Sequence, residues 1–527
     1  LPAVKEGTVI EYHYKLYSDY FSHIDNWMMQ EELPMLYNQY KITIPHVFIY
    51  NIELRGKDYI QVKQRDSSIH ATEREGSGAG GVSKDFTVSA QETTFISRNL
   101  PAIRQDESYC WCPEDYKVQV SFDLQGTQFT PNEYKPYSQK WEDVDKQLLK
   151  PENIQFGEHL SLTNPFRPET KQAYNSEMNF EEKIICAFQV LKKKMAWNGR
   201  YQLYSKELEK VIKKGSGSNA DLNFILISIL KDFGLEAYPV VMSRRSSGML
   251  PYNFPSLQKL NTFFIAIHDI NKQKYVFLDS SMDVPAFNIL PLELSVNKAR
   301  ILSRKEKEEN KWVNVMTLSN NKSFMKIDAR IEGDQVKGHR STVLYGQEAI
   351  EYQANENHKQ DNLVSNPENK VSQKEKLTVT NLKVKKQEND WALIEEEFDF
   401  VLQADRTDDH LYINPMLFPQ LKSNPFIQTE RVLPIEFPYP YKFTMLSTLT
   451  LPEGYEVEEL PQSQSIRSEG DGLQCKYMIQ QQGNTILLNY VFHLKGYIFL
   501  SEQYKQLQEL WAKVIEKNNA LIVLKKI

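Results

Sequence analysis

The chain has 527 residues, 41% of them hydrophobic and 25% charged, with a formal net charge of −6. That length predicts two to four domains with cores of their own, and the composition excludes wholesale disorder. The charge gives no basic footprint for nucleic acid, no apolar run nears the roughly 18–20 residues of a membrane helix, and four cysteines are too few for a disulfide framework.

The first residues, Leu1-Pro2-Ala3-Val4, lack the basic start and apolar region of a signal peptide. Residues 1–160 read as an antiparallel β domain. Lys41–Pro45 and Val47–Tyr50 are β-rich runs, and Tyr59–Val62 and Lys117–Phe122 alternate with a period of two. The glycine-rich run Gly76–Gly81 predicts a flexible hairpin. The following Ser83-Lys84-Asp85 lacks the Gly-Lys-Ser/Thr order of a phosphate loop. Cys110 and Cys112 flank Trp111 with no nearby third ligand, so structural thiols are expected there rather than a metal site.

Residues 161–300 change character. Trp141–Leu149 predicts a short helix ahead of them, and Asn179 with Glu182 forms a capping box before Phe180, Ile184, Phe188 and Leu191. Lys192-Lys193-Lys194 reads as a solvated face. A helix over Ser205–Lys213 stops at Gly215. Ser218 then caps a third helix, with Asp221 three residues on, and Leu222, Ile225, Leu226, Ile229 and Leu230 carry it to Gly234. Strands follow at Ala237–Val241, Thr262–Ile267 and Tyr275–Leu278, with His268 placed in a turn beside Asp269 and Asn271. Helices followed by strands define an α+β domain.

From 301 to 527 the chain is β-rich, divisible at 430/431, after a charged linker over Arg304–Glu309. Strands are expected at Lys376–Thr380 and Thr485–Phe492. Tyr504, Leu507, Leu510, Trp511 and Val514 mark a late amphipathic helix, and Ala520–Leu524 a last strand.

A helix start after a glycine-rich loop is where a cysteine nucleophile is activated. Free N–H groups stabilise the thiolate, a neighbouring histidine takes its proton and a carboxylate orients the histidine. The ten histidines are dispersed without metal-site spacing: His13 and His23, or His339 and His358, are too loosely placed. No metal or cofactor is expected.

Gly215-Ser216-Gly217-Ser218-Asn219-Ala220-Asp221-Leu222-Asn223 and Gly234–Val241 resemble the transglutaminase-like superfamily, as do Ser243–Gly248 and Tyr275–Asp279. Gly7–Tyr12, Ile44-Pro45, Leu411–Pro415, Asn424–Phe426 and Leu451–Tyr455 resemble the flanks of a three-domain, Bacteroides-type group in which β domains surround that core. The resemblance implies an N-terminal antiparallel β domain that begins midway, a central transglutaminase-like (papain-like cysteine-protease fold) α+β domain and a C-terminal β-sandwich-like region. It also implies a periplasmic or cell-surface location.

Catalytic members place cysteine at the position of Asn219 and histidine at that of Thr262; of the three groups, Asp279 alone has a suitable residue type. The resemblance therefore implies a pseudoenzyme, a binding or scaffold module taking a peptide, protein or glycan. Ser218, Asp221, Arg244 and Arg245 are its candidate ligand residues. The rival reading is a hydrolase or acyltransferase using Ser218.

Overall fold

The computed structural model describes residues 5, 7–8, 14–18, 24–75, 82–104, 107–130, 133–136, 140–251, 255–303, 311–362, 371–372, 377–387 and 389–527. Packing divides the chain into two units. One comprises residues 1–105 and 116–139, the other residues 106–115 and 140–527.

Among the described residues the first unit is β apart from a 3-10 turn at Lys57–Tyr59. Its strands are β1 (Trp27–Met28), β2 (Met35–Pro45), β3 (Phe48–Arg55), β4 (Gln61–Glu75), β5 (Val82–Leu100), β6 (Gln119–Thr130) and β7 (Glu133–Pro136). They form two antiparallel sheets, ordered β1-β6-β3 with β7 on β6, and β2-β5-β4. Met29, Phe95, Leu100, Val118 and Val120 make the core, and Trp27 stacks on Tyr40 at 4.8 Å. The alternating runs seen in the sequence lead into β4 and β6, which begin two residues later than the runs and extend well past them; Tyr59 itself closes a 3-10 turn over Lys57–Tyr59. β4 and β5 pair as far as Glu75 and Val82. The glycine-rich run between them lies outside the described residues, as do His13, His23, most of Gly7–Tyr12 and the charged linker 304–309.

The second unit opens with α1 (Trp141–Leu149), α2 (Arg167–Ala173), α3 (Phe180–Lys194), β8 (Ala196–Trp197), α4 (Leu208–Lys214), β9 (Ser216–Gly217) and α5 (Asn219–Asp232). Then come β10 (Glu236–Met242), β11 (Thr262–Asp269), β12 (Lys274–Leu278), β13 (Ala299–Ile301) and β14 (Trp312–Val313). β12-β11-β10-β13-β14 is one antiparallel sheet. α5 packs on it and is buried on every face from Asn219 to Leu230. β11 is covered on both sides, with Phe263, Ile265 and Ile267 toward the helices and Phe264 and Ala266 toward Val240, Met242 and Phe277. That double burial makes it a continuous apolar run.

Local sequence signals account for the helix ends. Asn179 accepts from Glu182 N–H at 2.9 Å while the Glu182 carboxylate takes Asn179 N–H at 2.8 Å. α4 begins at Leu208, three residues later than its sequence pattern suggests, and stops at Gly215, whose φ of 72° favours glycine. Two expectations need correction. Lys192 is half-buried, 5.4 Å from the Phe188 ring, and burial lowers its pKa; only its neighbours Lys193 and Lys194 are exposed. His268 is a strand residue, paired with Tyr275 and 3.8 Å from Glu236. β11 runs on to Asp269, whose carboxylate holds the turn by accepting from Asn271 and Lys272 N–H.

A buried ion cluster ties α1 to β13. Asp145 accepts from Arg300 Nε and Nη2 at 2.7 and 2.8 Å and from Lys311 Nζ at 2.9 Å. Arg300 is 0% exposed and its guanidinium faces Trp312 at 5.0 Å.

The rest of the second unit contains β15 (Lys322–Glu332), β16 (Gln335–Tyr345), α6 (Gln347–Asn362), β17 (Val371–Ser372), β18 (Leu377–Gln387), β19 (Asp390–Gln403), β20 (Asp405–Arg406), β21 (His410–Ile413) and β22 (Ile435–Glu436). It ends with β23 (Tyr441–Thr450), β24 (Tyr455–Glu459), β25 (Gln464–Arg467), β26 (Leu473–Gln482), β27 (Thr485–Leu494), β28 (Ile498–Phe499), α7 (Tyr504–Asn518) and β29 (Ile522–Lys526). Among the described residues, β17-β18-β19-β16-β15-β23-β27-β26-β25 form a nine-stranded sheet with strands from both sides of residue 430. β20-β21-β29-β24 form a second sheet, and α7 buries Tyr504, Leu507, Trp511 and Val514 against the shared core.

α6 brings Glu348 toward Ser323 and Tyr441, and burial pushes its carboxyl from the ordinary 4.5 up to about 7. A raised folded pKa means stability is full below about pH 4.5 and is lost as pH rises through 7. Wild-type protein is expected to lose roughly 1–3 kcal/mol across that window. Glu348→Gln is expected to flatten the loss, measured as urea midpoints at pH 5 and 8. Equal pH slopes for both proteins would refute this assignment.

Residues 107–115 form a strap within the second unit. Glu107 pairs with Arg431 at 3.3 Å, Tyr109 O accepts from Glu436 N–H at 2.7 Å and Trp111 N–H donates to the Glu436 carboxylate at 2.8 Å. Asp115 accepts from Met249 N–H at 2.7 Å. Gly248, at φ +92°, lets Asp115 approach; a Cβ there would meet its Oδ1 at 2.7 Å. Burial pushes the strap's Cys110 thiol up to about 12 and Cys112 to about 11, with Glu436 and Asp115 adding to the respective shifts. Both are therefore protonated and unreactive near neutral pH.

Candidate functional site

α5 begins where the glycine-rich loop ends. Gly217 has no room for a side chain, since a Cβ would lie 2.5 Å from Val211 and 2.9 Å from Asp221. Ser218 caps the helix and is fully engaged: Asp221 Oδ2 accepts from both Ser218 N–H and Ser218 Oγ at 2.8 Å, while Ser218 Oγ receives Asp221 N–H at 3.3 Å. Both side chains are buried. Among the described residues no histidine hydrogen-bonds to Ser218.

Asn219, Thr262 and Asp279 come together in space, each 0% exposed. The Asn219 amide nitrogen donates to Thr262 Oγ1 at 2.9 Å and to the Phe263 carbonyl at 3.0 Å, and its oxygen accepts from Gln202 N–H at 2.9 Å. The network continues through Asn223, one helical turn further along α5. Asn223 Nδ2 donates to Phe263 O at 2.8 Å and to Asp279 Oδ2 at 2.9 Å. Its Oδ1 accepts from Ser280 N–H at 3.0 Å and from Ser280 Oγ at 2.5 Å. The orientation of the Asn223 amide is forced, because Phe263 O can only accept and Ser280 N–H can only donate.

Asp279 Oδ1 accepts from Ser281 N–H at 2.9 Å and from Ser281 Oγ. Complete burial raises its pKa, and the hydrogen bonds from Ser281 and Asn223 oppose that rise. Tyr201 OH lies 3.3 Å from Ser281 Oγ; its own pKa is raised by burial first and by the Asp279 charge second.

The arginines lie at the end of β10. Arg245 donates to Phe437 O at 2.7 Å and Pro438 O at 2.9 Å, and stacks on Trp111 at 4.4 Å. Arg244 lies 3.7 Å from Glu293 in a loose ion pair, and its Nε is buried without a hydrogen-bond partner.

This arrangement is closed chemically. An amide at 219 is no nucleophile, a threonine at 262 no base, and a carboxylate with no exposed surface reaches no substrate. Sequence reasoning passed over Asn223, Ser280, Ser281 and Tyr201 as site residues. The available signal was a second asparagine four positions after the first, in a helix that from Leu222 to Leu230 is otherwise apolar but for Ser228. Among the described residues no group of three His, Cys, Asp or Glu could hold a metal, and no helix is long and apolar enough to cross a membrane.

A domain of unknown function, DUF3858, matches residues 409–524. No curated protein matches the chain. A solved structure described as a "putative protease from Parabacteroides distasonis" is similar over 95% of this chain and 74% of its own, with 12% identity and a TM-score of 0.51. At that identity the likeness establishes the fold alone, an α+β multidomain architecture. A "putative cysteine protease from Cytophaga hutchinsonii" overlaps 47% of this chain and 80% of its own at 10% identity, with a TM-score of 0.17, too low to bear on the fold.

Proposed function

We propose that this chain is a non-catalytic transglutaminase-like protein of the three-domain, Bacteroides-type group, acting as a binding or scaffold module of the cell envelope. The observation that carries this reading is the Asn219 amide, fully buried and donating to Thr262 and Phe263 where a thiolate and an imidazole would otherwise meet. A peptide, protein or glycan is the expected ligand class. Arg244 is the best of the four candidate ligand residues, since its side chain is 32% exposed and held by a loose ion pair to Glu293, while Ser218, Asp221 and Arg245 are engaged within the fold.

The hydrolase reading through Ser218 is disfavoured by its bonds to Asp221, because a serine nucleophile needs a base that can accept its proton and then release it. Fluorogenic peptidyl and glutaminyl substrates are expected to turn over no faster with the protein than in buffer. Ser218→Ala should leave that background unchanged and cost about 1 kcal/mol as a lost helix cap. Turnover that disappears with Ser218→Ala would establish the enzyme instead.

A further inference from the structure

We propose that the outward face of the nine-stranded sheet, over β15, β23, β27 and β26, is a docking surface for an acidic protein segment that also carries aliphatic side chains. The surface owes nothing to the buried Asn219 network and is tested independently of it.

Strand register places the charges. Phe443 on β23 and Phe492 on β27 point into the core, so Lys442 and His493 beside them point outward. Lys442 is paired on one side with Lys322 and on the other with His493, so the three stand in one row across strands roughly 4.8 Å apart. Lys476 follows on β26, exposed on the same face. Like charges directly opposite one another destabilise a sheet. Elsewhere on this face the chain avoids that cost: Lys383 meets Glu397 at 2.9 Å, Lys385 meets Glu395 at 3.4 Å and Lys326 meets Asp328 at 2.6 Å.

The cationic row has no such balance. Among the described residues Lys442 and Lys476 have no ion-pair partner, and Lys322 lies over the Tyr345 ring at 4.6 Å. Asp471 is already shared by Arg467 and Lys495, at 2.8 and 2.5 Å. His493 registers the local field: burial first, then Lys495 and Lys442, lower its pKa against the opposing charge of Asp471. In a chain of net charge −6, these uncompensated lysines select an anionic partner. Their neighbours select its class. Leu446 and Met478 are exposed on either side of Asn489 in a nearby cross-strand row. A wholly polar polyanion leaves them in water, whereas an acidic segment with aliphatic side chains covers them while its carboxylates meet the lysines.

The probe is a fluorescein-labelled peptide of four repeats, each two glutamates and a leucine, titrated with the full chain by fluorescence anisotropy. Saturable binding is expected at low salt, weakened at least about tenfold by roughly 0.5 M NaCl and by Lys442→Glu/Lys476→Glu. Leu446→Ser/Met478→Ser should weaken it about fivefold. Lys442 stands between Lys322 and His493, so Lys442→Glu is expected to leave the urea midpoint unchanged or raise it. Absent binding overturns the proposal, as does binding that survives either double substitution. A lowered midpoint in Lys442→Glu also overturns it, by showing that the fold itself uses this charge. Displacement by polygalacturonate or oligothymidylate as effective as by unlabelled peptide would assign the face to a glycan or a nucleic acid and overturn the proposed partner.

Discussion

Asn223→Leu is expected to lower the stability of the second unit by about 3–6 kcal/mol, since it leaves several buried polar groups without partners at about 1–3 kcal/mol each. Leucine keeps the branched shape and is somewhat larger, so none of the loss comes from a cavity. What is lost is the donor to Asp279 Oδ2 and the acceptor for Ser280 N–H and Oγ, all in a site with no water contact. Phe263 O is partly protected because Asn219 still donates to it. Asn219→Leu should therefore be milder, about 2–4 kcal/mol, for it orphans two groups, Gln202 N–H and Thr262 Oγ1. Urea unfolding followed by hydrogen exchange at the α5 amides separates this domain from the rest of the chain. Equal losses for the two variants would mean that Asn223 has no special place in the network.

Asp145→Ala is expected to cost about 3–5 kcal/mol, the usual penalty for breaking a buried ion pair from one side. The carboxylate is shared by Arg300 and Lys311, and Arg300 has no exposed surface onto which its charge could escape. Desolvation of the cations remains after their shared anion is gone. Replacing all three charges in Asp145→Leu/Arg300→Met/Lys311→Met should return at least half of the loss, because well-packed apolar residues substitute for a buried ion cluster at little cost. A triple variant no more stable than Asp145→Ala would show that the cluster fixes the backbone of α1 and β13 and is not a simple charge balance.

Much of the central domain is legible because its signals are local. Ser218 and Asp221 stand three apart, Asn179 and Glu182 likewise, and β10 to β12 are apolar runs bounded by glycine or polar turns. α6 escaped notice because its residues, from Gln347 to Asn362, are mostly polar and show no apolar stripe. Much of the nine-stranded sheet went unread as well, including β15 and β19. β15 pairs in parallel with β23, more than a hundred residues later in the chain, a register that no local pattern encodes. The site divides in the same way. Positions 219, 262 and 279 can be picked out by resemblance, whereas the bond from Asn223 to Asp279 spans 56 residues and that from Arg300 to Asp145 spans 155. Side chains that meet only through the completed fold leave no periodicity to read.

The strap has a topological consequence. The chain runs from the first unit into the second at residue 106, returns at 116 and crosses again at 140, so three covalent links join the two units. Scission at one of them, even within residues 137–139 ahead of α1, leaves both pieces tethered. A fragment begun at Lys140 would also leave behind the pairing of Glu107 with Arg431 and the Trp111 ring on which Arg245 rests. The boundary between the two units is therefore not a point in the sequence: the second unit is discontinuous, and dissecting it calls for a circular permutant or the strap supplied in trans.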